Sequence, residues 1–326
     1  MRKIYFSTYI AGAGEIVSRF LKEDIPDVDV LRSWDGLIEY QANADPKHLK
    51  YINNSYLELA TFECRTFADF VQKTVAYFAK HGGETWEKLT TIANKKLSYR
   101  LMFYDQNQPA AIDKNQLALI EQHLSKGELV DRTHPALEVS AIYRSDGIGL
   151  LGIRLTYHPD YKTVLSPGEL RPEVAEILVR LSSPQAGEIF LDPFSGFGAI
   201  VAACDRYPYQ KIFCSDIDDE KTKLLKKRFG SKPKIIIKKR NAMHLDWIEG
   251  ESVDVIVTDP PWGNFDKSIM LEQLYPAMLA EFDRVLKKDG QMIILTSRKG
   301  LGEIGLRTDV LISGRQASIY KLGKSG

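Results

Sequence analysis

A chain of 326 residues is long enough for two domains or three small ones, and 44% hydrophobic with 27% charged residues is the composition of an ordinary folded protein. No apolar run approaches the ~20 residues of a membrane helix, and the opening MRKIYFSTYIAGAGEIV has only a short mixed run before Glu15, so neither a membrane span nor a signal peptide is expected. Cys64, Cys204 and Cys214 are odd in number and lack C-x-x-C spacing, and the net charge is only +1, which argues against a disulfide framework, a zinc site and a basic coat over the whole surface. The expected setting is the cytoplasm.

In chain order, helical segments are predicted near 67–80 and 112–125. Strand-like runs lie at 97–104, 136–144 and 148–157, so the front half reads as mixed α+β. Residues 157–168, with two prolines and little periodicity, read as a linker. Next comes a helix over 170–183, with Pro172 in its first turn and Val174, Ile177, Leu178 and Leu181 on one face. From 188 onward strands and helices alternate: strand 188–192, helix 197–207, strand 211–216, helix 219–230, strand 233–238 and strand 253–258. The longest helix, 268–287, follows, then strand 291–297. Residues 310–322 form two strands across Ser313–Gly314, a hairpin. Apolar strands alternating with helices predict a parallel sheet covered on both faces, closed here by that hairpin.

LDPFSGFGAI (191–200) sits where the first of these strands turns into its helix, the place where ligands approach a doubly wound sheet. Gly196 and Gly198 let the backbone come close to a ligand, and the helix start offers free N–H groups. The third glycine of a dinucleotide fingerprint would fall at Val201, so an NAD site is disfavoured. Asp192 suits a ligand carrying an ammonium group. Asp216, directly after the next strand, suits ribose hydroxyls, and Asp218 is the competing acid, equally suited to capping a helix.

The stretch TDPPWG (258–263) ends the apolar run VDVIVT. Proline cannot donate to a sheet ladder, so the strand stops at Asp259 and a rigid turn begins. With DPFSGFGAI and the acidic end of the second strand, DPPW resembles the class I, S-adenosylmethionine-dependent amino-methyltransferases. The order ELRPEVAEILVRL, LDPFSGFGAI, SDID, TDPPWG, VLISGRQASIYKL is similar to the THUMP-containing RNA methyltransferases that modify guanosine N2. The resemblance implies a Rossmann-like domain over 166–326, doubly wound and mostly parallel. Before it, an α+β region would comprise a ferredoxin-like segment over 1–62 and a THUMP-like RNA-binding domain over 63–160. It implies S-adenosyl-L-methionine as cofactor, held by Asp192, Pro193, Phe194, Gly196, Gly198, Asp216 and Asn241. Phe197 and Ala199 depart from the small hydroxyl residue and threonine usual in the loop. Asn241 stands where an acid would meet the adenine amino group; its amide carbonyl can also accept that bond.

Asp259, Pro260 and Trp262 are the expected catalytic residues. An exocyclic base amine is a poor nucleophile because its lone pair is delocalised into the ring. A carboxylate from Asp259 and the Pro260 carbonyl would stabilise the charge that develops on that nitrogen as it attacks. The two prolines pre-set both acceptors, and Trp262 can stack on the base. A base must leave its stack to reach such a turn, so the expected partner is structured RNA, most readily tRNA, bound by a monomer without membrane or metal. A DNA adenine-N6 or cytosine-N4 methyltransferase shares the turn, and an inert RNA-binding protein on the same fold is the third reading. Arg65, Lys95, Lys96, Arg100 and Arg132 are candidate RNA contacts in the front half. The window 221–240, with ten Lys or Arg and no acid, reads as a solvated helix face and edge strand that can also attract an anionic polymer.

Overall fold

The computed structural model describes residues 2–93, 97–125, 127, 129–156, 165–166, 168–263, 270–301 and 305–324. The chain divides into two compact units, one of residues 1–8, 18–49 and 54–157, the other of 9–17, 50–53 and 158–326.

The first unit is built on an eight-stranded sheet. Its strands are β1 (Lys3–Thr8), β2 (Asp29–Trp34), β3 (Leu37–Ala42), β4 (Asn54–Glu63), β5 (Tyr99–Asp105), β6 (Gln108–Ala110), β7 (Leu137–Tyr143) and β8 (Ile148–Arg154). They run in the order β2-β3-β1-β4-β8-β7-β5-β6. Residues 1–62 and 63–160 thus share one sheet, joined where β4 pairs antiparallel with β8. Helix α1 spans Gly14–Asp24, α2 Phe67–Ala93 and α3 Lys114–Ser125. The helix predicted over 67–80 therefore continues for more than three further turns. Gly82 and Gly83 weaken a helix in isolation by ~1 kcal/mol each. Here Gly82 serves packing, because a Cβ on it would lie 2.2 Å from the His123 carbonyl oxygen of α3.

The second unit holds α4 (Pro172–Leu181), β9 (Ile189–Asp192), α5 (Ala199–Cys204), β10 (Lys211–Asp216), α6 (Asp219–Phe229), β11 (Ile235–Lys239) and β12 (Val253–Thr258). It continues with α7 (Leu271–Val285), β13 (Leu286–Thr296), β14 (Leu306–Ile312) and β15 (Arg315–Gly323). The sheet order is β11-β10-β9-β12-β13-β15-β14. The first five strands are parallel, and β15 and β14 close the edge antiparallel. This is the expected doubly wound architecture with a terminal hairpin. Ser313 and Gly314 both have positive φ, 49° and 78°, the geometry of a type I′ two-residue turn.

Among the differences from the sequence pattern, three bear on the fold. The helix expected at 197–207 starts only at Ala199, because Gly198 at φ 85° is left-handed and cannot be a helical residue. The helix after β12 is α7, 15 residues long against 27 for α2, so it is not the longest; 268 and 269 lie outside the described residues. Strand β13 begins at Leu286 rather than 291. The polar KKDG stretch is a bulged lead-in, held where Lys287 Nζ reaches the Asp254 carboxylate at 2.7 and 2.8 Å.

The topology positions the site. From β9 the chain steps outward to β10 and β11, then returns to the other side of β9 for β12 and β13. The carboxyl ends of β9 and β12 therefore border the crevice where the strand order reverses, the general ligand site of such sheets.

Candidate active site

Asp192 ends β9, Asp216 ends β10, and Thr258 ends β12 with Asp259 directly after it. The loop after β9 is held by Ser195 and Gly198. Ser195 N–H donates to Ser215 O (2.9 Å), Ser195 Oγ to Asp192 O (2.7 Å) and Gly198 N–H to Ser195 O (2.7 Å). The Asp216 carboxylate ties this loop to the start of α6, accepting from Gly196 N–H at Oδ2 and from Asp218 N–H at Oδ1, both at 2.9 Å. A carboxylate has about four acceptor sites, so Asp216 keeps capacity for ligand hydroxyls. Asp218 accepts from Glu220 N–H (2.7 Å) and Lys221 N–H (3.3 Å), which makes the competing acid a helix cap.

The two loop glycines do different work. A Cβ on Gly198 would meet Phe229 Cε2 at 2.7 Å and Leu225 Cδ2 at 2.8 Å, so this glycine lets α6 pack against the loop. A Cβ on Gly196 would find only Phe194 O, at 3.9 Å. The space beside Gly196 is open to a ligand.

Asp192 is fully buried. Its Oδ1 accepts from Thr258 Oγ1 (2.9 Å) and Phe194 N–H (3.2 Å), whereas Oδ2 is buried without a partner among the described residues, as is Ser215 Oγ on β10. Burial pushes the Asp192 carboxyl up to about 8. Its two donors oppose that rise, and the nearby charges of Asp216 and Asp259 add to it. A cationic group reaching Oδ2 would relieve both strains. Pro193 is buried, and Phe194 packs on the core cluster containing Leu191 and Ile256. Asn241 Oδ1 accepts from Met243 N–H (3.0 Å) in the turn after β11, so part of its acceptor capacity is used locally.

At the DPPW turn Asp259 is half-buried and Pro260 buried. Burial pushes the Asp259 carboxyl up to about 7, and the Trp262 indole, donating from Nε1 to Oδ1 at 2.8 Å, pulls it back. Tyr275 on α7 donates its hydroxyl to Pro261 O (3.2 Å) and is itself hydrogen-bonded to Thr296 Oγ1 at the end of β13 (2.6 Å). Sequence reasoning expected a flat aromatic surface at Trp262 and missed its N–H bond, the Thr258 link to Asp192 and the Tyr275 tether. The usable signals were small: a tryptophan three residues after an acid, and a hydroxyl residue closing the apolar run 255–257.

Three of the front-half candidates, Arg65, Arg100 and Arg132, are among the described residues. Arg100 donates twice to buried Glu138, at 2.7 and 3.0 Å, and Arg132 pairs with Glu121 at 2.6 Å. Arg65 is exposed, and Lys95 and Lys96 lie outside the described residues. In the basic window, Lys223, Lys232, Lys234, Lys239 and Arg240 are paired with acids. Among the described residues no three His, Cys, Asp or Glu side chains form a metal-ligating group, and no helix is long and apolar enough to cross a membrane.

Residues 159–304 match the model of the UPF0020 family, described as RMKL-like, methyltransferase domain. The U6 snRNA (guanine-N(2))-methyltransferase THUMPD2 of Bos taurus is 29% identical over 186 residues, 56% of this chain and 36% of that protein, so the chain spans about a third of that relative's length. A protein of Methanothermococcus thermolithotrophicus named "Probable tRNA (guanine(10)-N2)-dimethyltransferase" is 35% identical over 136 residues, 39% of this chain and 81% of that one. The crystal structure of TrmN from Thermus thermophilus has the same fold, with a TM-score of 0.78 over 99% of both chains at 18% identity. With most of one relative aligned at that identity and the family model covering the glycine loop and the DPPW turn alike, the chain belongs to the RMKL-like methyltransferase family.

Proposed function

We propose that the protein is an S-adenosylmethionine-dependent RNA methyltransferase that modifies an exocyclic base amine, the N2 of guanosine in tRNA or another structured RNA. One observation carries the reading. Thr258 hydrogen-bonds the buried Asp192, and the next residue, Asp259, presents a second acid from the same strand end, so the cation-favouring pocket and the acceptor turn are one construction.

The residues fit the cofactor. The unpartnered Asp192 Oδ2 would take its ammonium, Asp216 its ribose hydroxyls, and the open side of Gly196 its close approach to backbone. The Asn241 side chain would meet the adenine edge, with Pro193 and Phe194 shaping the loop. When bound, S-adenosylmethionine supplies an electrophilic methyl on its sulfonium. The chain's own task is to make a weak nucleophile attack it. Asp259 and the Pro260 carbonyl accept the hydrogens of the amine as its nitrogen gains positive charge, an interaction that strengthens toward the transition state. Asp259 must be ionised for this. Residues 1–62 and 63–160, ferredoxin-like and THUMP-like in this reading, hold the RNA by shape while 166–326 handles one base. The guanine-N2 specificities in the names of the two relatives given above favour RNA over a DNA amine substrate. Phe197, Ala199 and Asn241 leave the Asp192–Thr258–Asp259 arrangement intact, which favours an active enzyme over an inert binder.

The test is incubation of the purified full chain with labelled S-adenosylmethionine and tRNA, followed by mass spectrometry of the nucleosides. N2-methylguanosine is expected; methyl groups on carbon, ribose or no nucleoside at all would contradict the reading.

A further inference from the structure

We propose that Trp262 is a positioning residue for Asp259, its indole N–H fixing one carboxylate oxygen and leaving the other for the substrate amine. This rests on the methyltransferase reading above and adds a role that an aromatic platform alone lacks. The turn has two separate anchors. Its backbone is held by the prolines and by Tyr275, whose hydroxyl meets Pro261 O. None of these fixes the Asp259 side chain, which keeps its own rotamer freedom. The 2.8 Å bond from Trp262 Nε1 to Asp259 Oδ1 supplies the missing restraint. Phenylalanine or tyrosine at this position could still stack on a base, but neither carries an N–H in the ring. The indole only donates, so its bond is strongest to the ionised carboxylate, the form that methyl transfer needs.

The charged and titratable groups facing Asp259 act in known directions. Asp192 on β9 interacts with it as a like charge, and the two acids disfavour each other's ionisation. Tyr275 on α7 is neutral at working pH, burial having pushed its hydroxyl up to about 12. The Arg298 guanidinium, just beyond β13, lies 5.1 Å over the Tyr275 ring. Against the burial of Asp259, the Trp262 N–H is the side-chain donor that favours its ionised form.

The experiment measures single-turnover methyl transfer into tRNA from pH 5.5 to 9 at saturating cofactor, for the parent, Trp262→Phe, Trp262→Tyr and Trp262→Ala. The parent rate should fall tenfold per pH unit below about 7. In Trp262→Phe and Trp262→Tyr the acid limb should move upward by about one to two pH units, the size expected for losing a hydrogen bond to a charged group. At pH 6.5 these variants should be roughly 8- to 75-fold slower, yet within about fourfold of the parent at pH 8.5 to 9. Trp262→Ala should show the same displaced limb together with a raised KM for RNA. S-adenosylhomocysteine affinity reports on folding, and the two ring-retaining variants cover for each other if one is unstable. A limb that stays in place in both, whether the rate is unchanged or uniformly reduced, overturns the positioning role while leaving the broader function standing. A parent that transfers no methyl group overturns both.

Discussion

Replacing each loop glycine by alanine should separate a folding requirement from a binding requirement within three residues of sequence. At Gly198 the added Cβ lands 2.7 Å from Phe229 Cε2 and 2.8 Å from Leu225 Cδ2, and the backbone sits at φ 85°. A left-handed non-glycine residue costs about 1–2 kcal/mol, and overpacking against two buried side chains costs about 1–3 kcal/mol more. Gly198→Ala should therefore lose roughly 2–5 kcal/mol and lower the melting temperature on the order of 10 °C. Gly196 has φ 49° and no atom nearer than Phe194 O at 3.9 Å, so Gly196→Ala carries only the backbone cost, about 1–2 kcal/mol. Its methyl group would instead fill the space a ligand needs. An overpacking cost of ~1–3 kcal/mol there weakens S-adenosylhomocysteine binding about 5- to 150-fold. Calorimetric melting and isothermal titration on the full chain read the two effects. The reasoning fails if Gly196→Ala binds as tightly as the parent, or if Gly198→Ala melts where the parent does.

Two further outcomes follow from the site. Asp192 is pushed up to about 8 when ligand-free, and a bound ammonium favours its ionised form, so below that pH binding should release protons and tighten as pH rises from 6 to 8. Titrations in two buffers of different ionisation enthalpy detect the release; its absence would remove Asp192 from the cation site. Tyr275→Phe removes the hydroxyl that meets Pro261 O and Thr296, and should cost about 1–2 kcal/mol of stability by urea unfolding. It should also slow single-turnover transfer by ~10-fold, with cofactor affinity unchanged.

The parallel sheet was legible because each strand carries an apolar run: Phe190 and Leu191 on β9, Val255, Ile256 and Val257 on β12, Ile293 and Ile294 on β13 are all buried. The closing hairpin was legible from Ser-Gly between two alternating runs, and α6 from an acid at its start and Gly230 at its end. What remained hidden depends on partners distant in sequence. Nothing local says that Gly82 should stay helical, since its reason is the His123 carbonyl of another helix. Nor do local patterns predict β13 beginning at Leu286, because Lys287 is held by Asp254 of the neighbouring strand. In the site, residue types and order announced the glycine loop and the acceptor turn. The burial of Asp192, the division of labour between Gly196 and Gly198 and the Trp262 N–H bond are facts of three-dimensional packing.

The central claim is that the Asp259 carboxylate drives attack by a base amine. Single-turnover transfer from saturating S-adenosylmethionine into tRNA, with the product nucleoside identified, tests it most directly in the parent and Asp259→Ala. The interaction is made chiefly in the transition state, so the account predicts N2-methylguanosine formed ~100- to 1000-fold more slowly by Asp259→Ala, with S-adenosylhomocysteine affinity little changed. An Asp259→Ala protein that methylates as fast as the parent would contradict it and leave the DPPW turn a structural feature.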